Sequence, residues 1–397
     1  MSESIGAASA DDDLELHRHA TNLELFLDLT FVFSVTQVTT FIADDLTLAG
    51  LGKGVLLAWL VWWQWTAFTW AGSAVDFQSN ARARIVVLCM IPATLVMAIT
   101  APQSLTTQGV WFAGAYLVVQ LWVLALQSLE AMRTEATRVA FLRYAPLAAI
   151  APVTLLVGSF FDGNARLGVW IGVALLDVGS ALLASTGEGR EWTIDPVHFA
   201  ERHALFVIIC LGEVLVAIGA KAASISATDG LDLRSVAAVV VTVAVACLLW
   251  WTYFAFVPNV VEYQLAGADR SRRGVVARNI CSFGHFPIVV GIILYAIVAK
   301  HHIAHPTGRF EVADRWLLIG SALLFVGGIL HIQWHAVRRL APERLIALAA
   351  LAAVAAAGGW IPAAVALTLV ALVVAVMSTV TWRRFRRSEL GQTISSH

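Results

Sequence analysis

Charge is what this chain has least of. Only 13% of its 397 residues are Asp, Glu, Lys or Arg, against roughly 25% in an ordinary soluble domain. With 59% hydrophobic residues and a mean hydropathy of +0.78, no soluble core could hide so much apolar surface. Cysteine is also sparse. Cys89, Cys210, Cys247 and Cys281 stand singly in apolar segments with no Cys-x-x-Cys pair, which excludes a disulfide framework and a zinc knuckle. The net charge of −1 provides no basic field, so nucleic acid is not an expected partner. No phosphate-binding Gly loop, dinucleotide fingerprint or serine elbow occurs in a usable setting, so no cofactor is expected. The start of the chain has Asp11, Asp12 and Asp13 where a signal peptide would have a basic start and an apolar run, so none is expected.

What is present is a series of long apolar runs. Twelve segments of spanning length are read at 23–42, 54–72, 84–101, 109–128, 141–161, 165–185, 203–223, 235–257, 280–299, 315–337, 343–358 and 361–382. Crossing a hydrocarbon core of ~30 Å takes about 20 helical residues. The segment 343–358 is short and Ala-rich and could be re-entrant. The expected fold is an all-α integral membrane protein of about twelve transmembrane helices. If all twelve cross, nineteen of the 26 Lys and Arg residues fall on the side of the N-terminus and seven on the other. The positive-inside rule then puts both termini in the cytoplasm of a bacterial cell, with the chain in its inner membrane.

The chain echoes itself. Leu25-Phe26 recurs as Leu205-Phe206, and the aromatic run 61–77 recurs as 249–263, each ending in an acid beside an aromatic ring, Asp76-Phe77 and Glu262-Tyr263. The run 91–99 recurs as 286–294. Three matches in the same order predict two six-helix repeats related by an axis along the membrane normal. The expected organisation is an N-terminal tail (1–22), a first half (23–185), a linker (186–202), a second half (203–382) and a basic tail (383–397).

The segments ELFLDLTFVFSVTQ (24–37), WWQWTAFTW (62–70), HFAERHALFVIICLGEVLVAIG (198–219) and GHFPIVVGI (284–292), in that order and setting, resemble the bacterial low temperature requirement protein A family. The resemblance covers nearly the whole chain. It implies a multi-pass inner-membrane protein linked to growth in the cold, and it implies no established reaction or substrate.

Ionisable residues inside spans are expensive, about 2.5–3.5 kcal/mol at mid-helix, and mark functional sites by default. Glu24 and Asp28 are i, i+4 and share one face of the first span. Thr30, Ser34 and Gln37 form a second polar stripe, which predicts protein on all sides of that helix. Glu24 could equally cap its helix. Glu213 falls near the middle of the seventh span, with Arg278 or His285 as expected partners. His198, Glu201 and Arg202 mark the mouth of that span, where surface salt bridges would be the plain reading. Asp177, His331 and His335 are further intramembrane candidates, and a helix–helix hydrogen bond is the expected role of the two histidines. Trp62 and Trp63 lie mid-span, too deep for an interfacial belt, and could wall a site for an organic or cationic ligand or simply pack.

The candidate substrate- or proton-binding set is therefore Glu24, Asp28, Gln37, Trp62, Trp63, Asp76, His198, Glu201, Arg202, Glu213, Glu262, Arg278 and His285, with no metal. Membrane lipids and a small molecule or proton are the expected partners. Three function classes remain, led by a proton-coupled secondary transporter, with a non-transporting scaffold or sensor as the second. An intramembrane lipid-modifying enzyme is a third.

Overall fold

The computed structural model describes residues 19–393 except 76, 132–133, 186–191, 229 and 389–390. The described residues are almost entirely helical. In chain order the helices are α1 (Asn22–Asp44), α2 (Leu48–Ala74), α3 (Ala81–Thr100), α4 (Gly109–Ala131), α5 (Glu135–Gly158) and α6 (Gly163–Ser185). They continue as α7 (Pro196–Thr228), α8 (Leu233–Phe254), α9 (Val257–Ala266), α10 (Arg270–Ala277), α11 (Gly284–Ala304), α12 (Val312–Val337), α13 (Pro342–Ala357) and α14 (Ala363–Arg387). Among the described residues, ten helices are long and apolar enough to cross a membrane, α8–α9 and α10–α11 each counting as one.

Two of the twelve expected spans fall outside that ten, for different reasons. The helix α2 has 27 residues, but its run of Trp, Gln and Gly lowers its hydropathy. It is walled by protein, with Trp62, Trp63, Gln64, Trp65 and Phe68 all buried. The helix α13 has 16 residues, about 24 Å at 1.5 Å per residue. One end is tied by the Arg384–Glu343 ion pair, and the other by the Phe310 N–H, which donates to Gly358 O.

Local signals account for the helix boundaries. A capping box starts α1: Glu24 N–H donates to Thr21 Oγ1 at 3.3 Å, and Thr21 N–H donates to Glu24 Oε2 at 2.9 Å. This satisfies two donors that every helix start leaves orphaned. Asp195 precedes Pro196 and accepts from the His198 N–H at 3.0 Å, a polar cap before a first-turn proline. The helix α7 thus begins at Pro196, and residues 196–202, expected as linker, are its first two turns.

The helix α11 runs through the middle of the protein, with Ile288 to Ala299 buried without interruption. Gly291 and Gly328 let α12 come against it; a Cβ on Gly291 would lie 2.7 Å from Phe325 N. Between α10 and α11 the chain forms a π-helical segment, Arg278–Phe283. Pro287 has no N–H to give to the carbonyl one turn before it, and its ring crowds that carbonyl. The wider π turn lies just ahead of it.

The outward surface is apolar, with Leu175, Val216, Val240, Ile346 and Val376 all exposed. The helix α1 has such a face too. Phe26, Leu29 and Phe33 are exposed, so α1 is covered by protein on its polar faces only, and the expectation of protein on all sides is corrected. Thr30 nonetheless meets Thr94 of α3, Oγ1 to Oγ1 at 2.7 Å.

Candidate functional site

Two helical i, i+4 pairs face one another across α1 and α7. Glu24 and Asp28 project from α1, and His198 and Arg202 from α7. His198 Nε2 lies 3.0 Å from Glu24 Oε1, Arg202 Nη2 donates to Asp28 Oδ1 at 2.8 Å, and Arg202 Nη1 stands 3.5 Å from Glu24 Oε1. The rungs match because both helices repeat side chains every 3.6 residues. Glu24, Asp28 and Arg202 have no exposed surface, and His198 has 3%. Glu24 therefore caps its helix and joins the ion cluster at once. His198 and Arg202, read from sequence as residues of a surface mouth, are buried, because α7 packs among α1, α2, α9 and α11.

The cluster extends into α2. Trp65 Nε1–H donates to Asp28 Oδ1 at 2.8 Å, and the Arg202 guanidinium lies over the rings of Phe68 and Trp65, 5.3 and 5.9 Å from their centroids. Two carboxyl groups and one imidazole face one guanidinium here, so a proton gained or lost by any of the three changes the charge balance of the group. Several polar atoms have no hydrogen-bond partner among the described residues: Asp28 Oδ2, His198 Nδ1, and Arg202 Nε and Nη1. Buried groups normally find partners, and these four atoms are the exceptions within the cluster.

Next on α7, His203 Nδ1–H donates to Phe199 O at 2.8 Å, and its Nε2 has no hydrogen-bond partner among the described residues. The same ring packs 5.0 Å from Trp65 and 5.1 Å from His285. His285 in turn is 2.7 Å from Tyr253 Oη and 3.0 Å from Ile280 O. A line of polar groups thus runs Asp28, Trp65, His203, His285, Tyr253. Trp62 and Trp70 anchor the π segment beside it, donating to Ser282 O at 2.8 Å and Ser282 Oγ at 3.0 Å.

The remaining candidates separate from this centre. Glu201 points away and holds the chain ahead of α1, accepting from the Ala20 N–H at 2.8 Å. Trp63 stacks on Trp59 at 5.2 Å. Gln37 is half-buried, Glu262 is exposed, and Asp76 lies outside the described residues. Glu213 is half-buried and pairs with neither Arg278 nor His285, which corrects that expectation. The π turn takes an extra residue per turn, so positions seven apart no longer share a face. Arg278 bonds Asn279 Oδ1 at 2.9 Å and lines a crevice with Trp63, Trp70, Tyr144, Trp192 and Ser282, while His285 faces His203. That crevice holds a volume of ≈40 Å³, room for about three waters.

His331 Nε2 lies 3.0 Å from Asn279 O, the helix–helix contact expected of it. Asp177 is 3% exposed, and its Oδ2 has no hydrogen-bond partner among the described residues. Among the described residues no three His, Cys, Asp or Glu side chains converge as a metal site would require.

Sequence reasoning missed Trp65, His203 and Tyr253 as parts of the centre. His203 stands beside Arg202 in HFAERH, and Trp65 lies one turn from Trp62, so helical spacing could have attached both to the charged pairs. Tyr253 carried no local signal.

This arrangement defines an all-helical membrane protein with a charged centre shielded from solvent. The profile of the bacterial low temperature requirement A protein (LtrA) family matches residues 19–379, and the chain belongs to that family. It is similar to an uncharacterized protein of Rhizobium meliloti (strain 1021), 30% identical over 384 residues, covering 92% of this chain and 90% of that one. No solved structure matches the chain.

Proposed function

We propose that this protein is a proton-coupled secondary carrier of a small molecule, built from two six-helix halves that move against each other at α1 and α7. The observation that carries the reading is the buried cluster itself. Both acids belong to α1 and the basic partners to α7, so the protonation state of the cluster directly changes the attraction between the halves. A proton on Asp28 weakens its pair with Arg202, and a structure with two packings of similar energy then shifts between them.

The neighbour pattern supports a repeat. The helices α1, α2, α3, α4, α5 and α6 correspond to α7, α8–α9, α10–α11, α12, α13 and α14. The contacts α1–α2, α1–α3, α3–α4, α4–α5, α5–α6 and α2–α6 recur as α7–α8, α7–α11, α11–α12, α12–α13, α13–α14 and α8–α14. The skew of basic residues toward the side of the two termini supports a cytoplasmic location for both, in the inner membrane. The aromatic crevice bounded by Trp63, Trp70, Tyr144 and Trp192 is the substrate chamber on this reading, and its small volume corresponds to the closed form.

The test is flux in proteoliposomes under an imposed pH gradient, across a panel of small amines, sugars and drugs. Wild-type protein is expected to couple proton movement to at least one compound, and Asp28→Asn to abolish the coupling while remaining monodisperse. Glu213→Gln, outside the cluster, is expected to reduce flux less. Flux in Asp28→Asn equal to wild type, with the same proton stoichiometry, sinks the proposal.

A further inference from the structure

A cavity larger than the aromatic crevice lies away from the charged centre. It lies at the end of the second half where α9, α12, α13 and α14 meet, and its volume is ≈450 Å³, within the roughly 300–1,000 Å³ range of ligand pockets. Its walls are of two kinds. Val257, Val260, Ile329, Ile332 and Ala336 are apolar, while Arg339, Arg344, Arg384 and Glu343 bring three positive charges against one negative. Arg384 and Glu343 pair at 2.6 Å, which leaves Arg339 and Arg344 to set the sign of the cavity.

Arg344 is the built element. It is 2% exposed, and its guanidinium lies 4.7 Å from the Phe256 ring centroid. Nη1 donates to Gln333 Oε1 at 2.6 Å. Nε has no hydrogen-bond partner among the described residues, and neither does Thr381 Oγ1 on the facing helix. A cation held this deep without a carboxylate is costly. The Nε side of a guanidinium is a planar donor edge that suits two oxygens of one oxyanion. The surroundings say which oxyanion. The cavity is bounded by membrane-embedded helices, it sits at the basic end of the bundle, and its apolar walls have room for part of a hydrocarbon chain. Basic pockets between helices at such an interface suit anionic headgroups.

We propose that this cavity binds a phosphate-bearing amphiphile, its phosphate on Arg344 and Thr381 and its apolar part against Val260 and Ile332. The site is separate from the α1–α7 cluster, and the proposal does not depend on the carrier reading.

The test is a titration of the purified full-length protein in neutral detergent. The probes are dihexanoyl-phosphatidylglycerol, dihexanoyl-phosphatidylcholine and inorganic phosphate, read by native mass spectrometry and by thermal melting. Phosphatidylglycerol is expected to bind one per chain and to raise Tm. Arg344→Gln is expected to weaken it about tenfold or more, the scale of one lost charge-assisted contact. Ala336→Phe, which fills the cavity without altering its charge, is expected to do the same and serves if Arg344→Gln does not fold. Saturable binding of inorganic phosphate, lost in Arg344→Gln, supports the same chemistry with a soluble source. Equal binding of phosphatidylglycerol and phosphatidylcholine, retention of binding in both variants, or no saturable binding of any probe overturns the proposal.

Discussion

Arg202 holds the charged centre together, because it is the one permanently cationic side chain facing two buried carboxylates, Glu24 and Asp28. Arg202→Met leaves both acids without it, and breaking a buried pair from one side costs about 3–5 kcal/mol. Thermal melting at neutral pH should show that loss. Acidifying the buffer should recover part of it, since a protonated acid needs no cation. The double variant Arg202→Met with Asp28→Asn should be more stable than Arg202→Met alone, a coupling that a double-mutant cycle measures directly. Trp65→Phe removes one hydrogen bond to a charged oxygen and should cost about 1.5–3 kcal/mol. If the two single substitutions simply add to Asp28→Asn, the residues do not form a unit. Glu24 and Asp28 were legible as a pair from their spacing, while His198 and Arg202 were legible as candidates but placed at a surface mouth rather than in a buried cluster. That the two pairs meet was not legible, because no local rule says which faces of two distant helices come together.

At the scale of the helix, glycine positions separate close packing from open surface. On Gly291 a Cβ would stand 2.7 Å from Phe325 N and 2.9 Å from Ser321 O. Gly291→Ala should therefore push α11 and α12 apart at a cost of about 1–3 kcal/mol. Gly168 and Gly172 stand four apart on α6, a spacing common at helix–helix contacts in membranes, yet a Cβ on either would meet nothing within 4 Å. Gly172→Ala should leave the melting temperature unchanged or raise it slightly, since it lowers the entropy of the unfolded chain. A large loss of stability there would mean that another chain packs on α6. The apolar runs made most helices readable, including the long α7. The π segment was not readable, because its cause is the crowding of Pro287 against the preceding turn, and it is this turn that parts Arg278 from His285.

For the whole molecule, the apolar composition and the matching family profile establish a membrane protein, and the count of basic residues sets an orientation that can be tested. Ser4→Cys and Ser396→Cys should react with a membrane-impermeant thiol reagent only after cells are permeabilised; labelling of either in intact cells would place that terminus outside. The sequence offered twelve spans, and ten helices among the described residues are long and apolar enough to cross; α2, with its tryptophans, and α13, with its 16 residues, make the difference. The central claim is that the acids of α1 set the balance between two arrangements of the halves. Cys89 on α3 and Cys247 on α8 are exposed, while Cys210 and Cys281 are buried, so the native thiols offer one labelling site in each half. The decisive measurement is the spin-label distance between Cys89 and Cys247 in lipid nanodiscs as pH falls from neutral to acidic. The account predicts two distance populations whose ratio shifts with pH, and a ratio in Asp28→Asn that stays at the acidic value throughout. A single distance, the same at every pH and in both proteins, would contradict it.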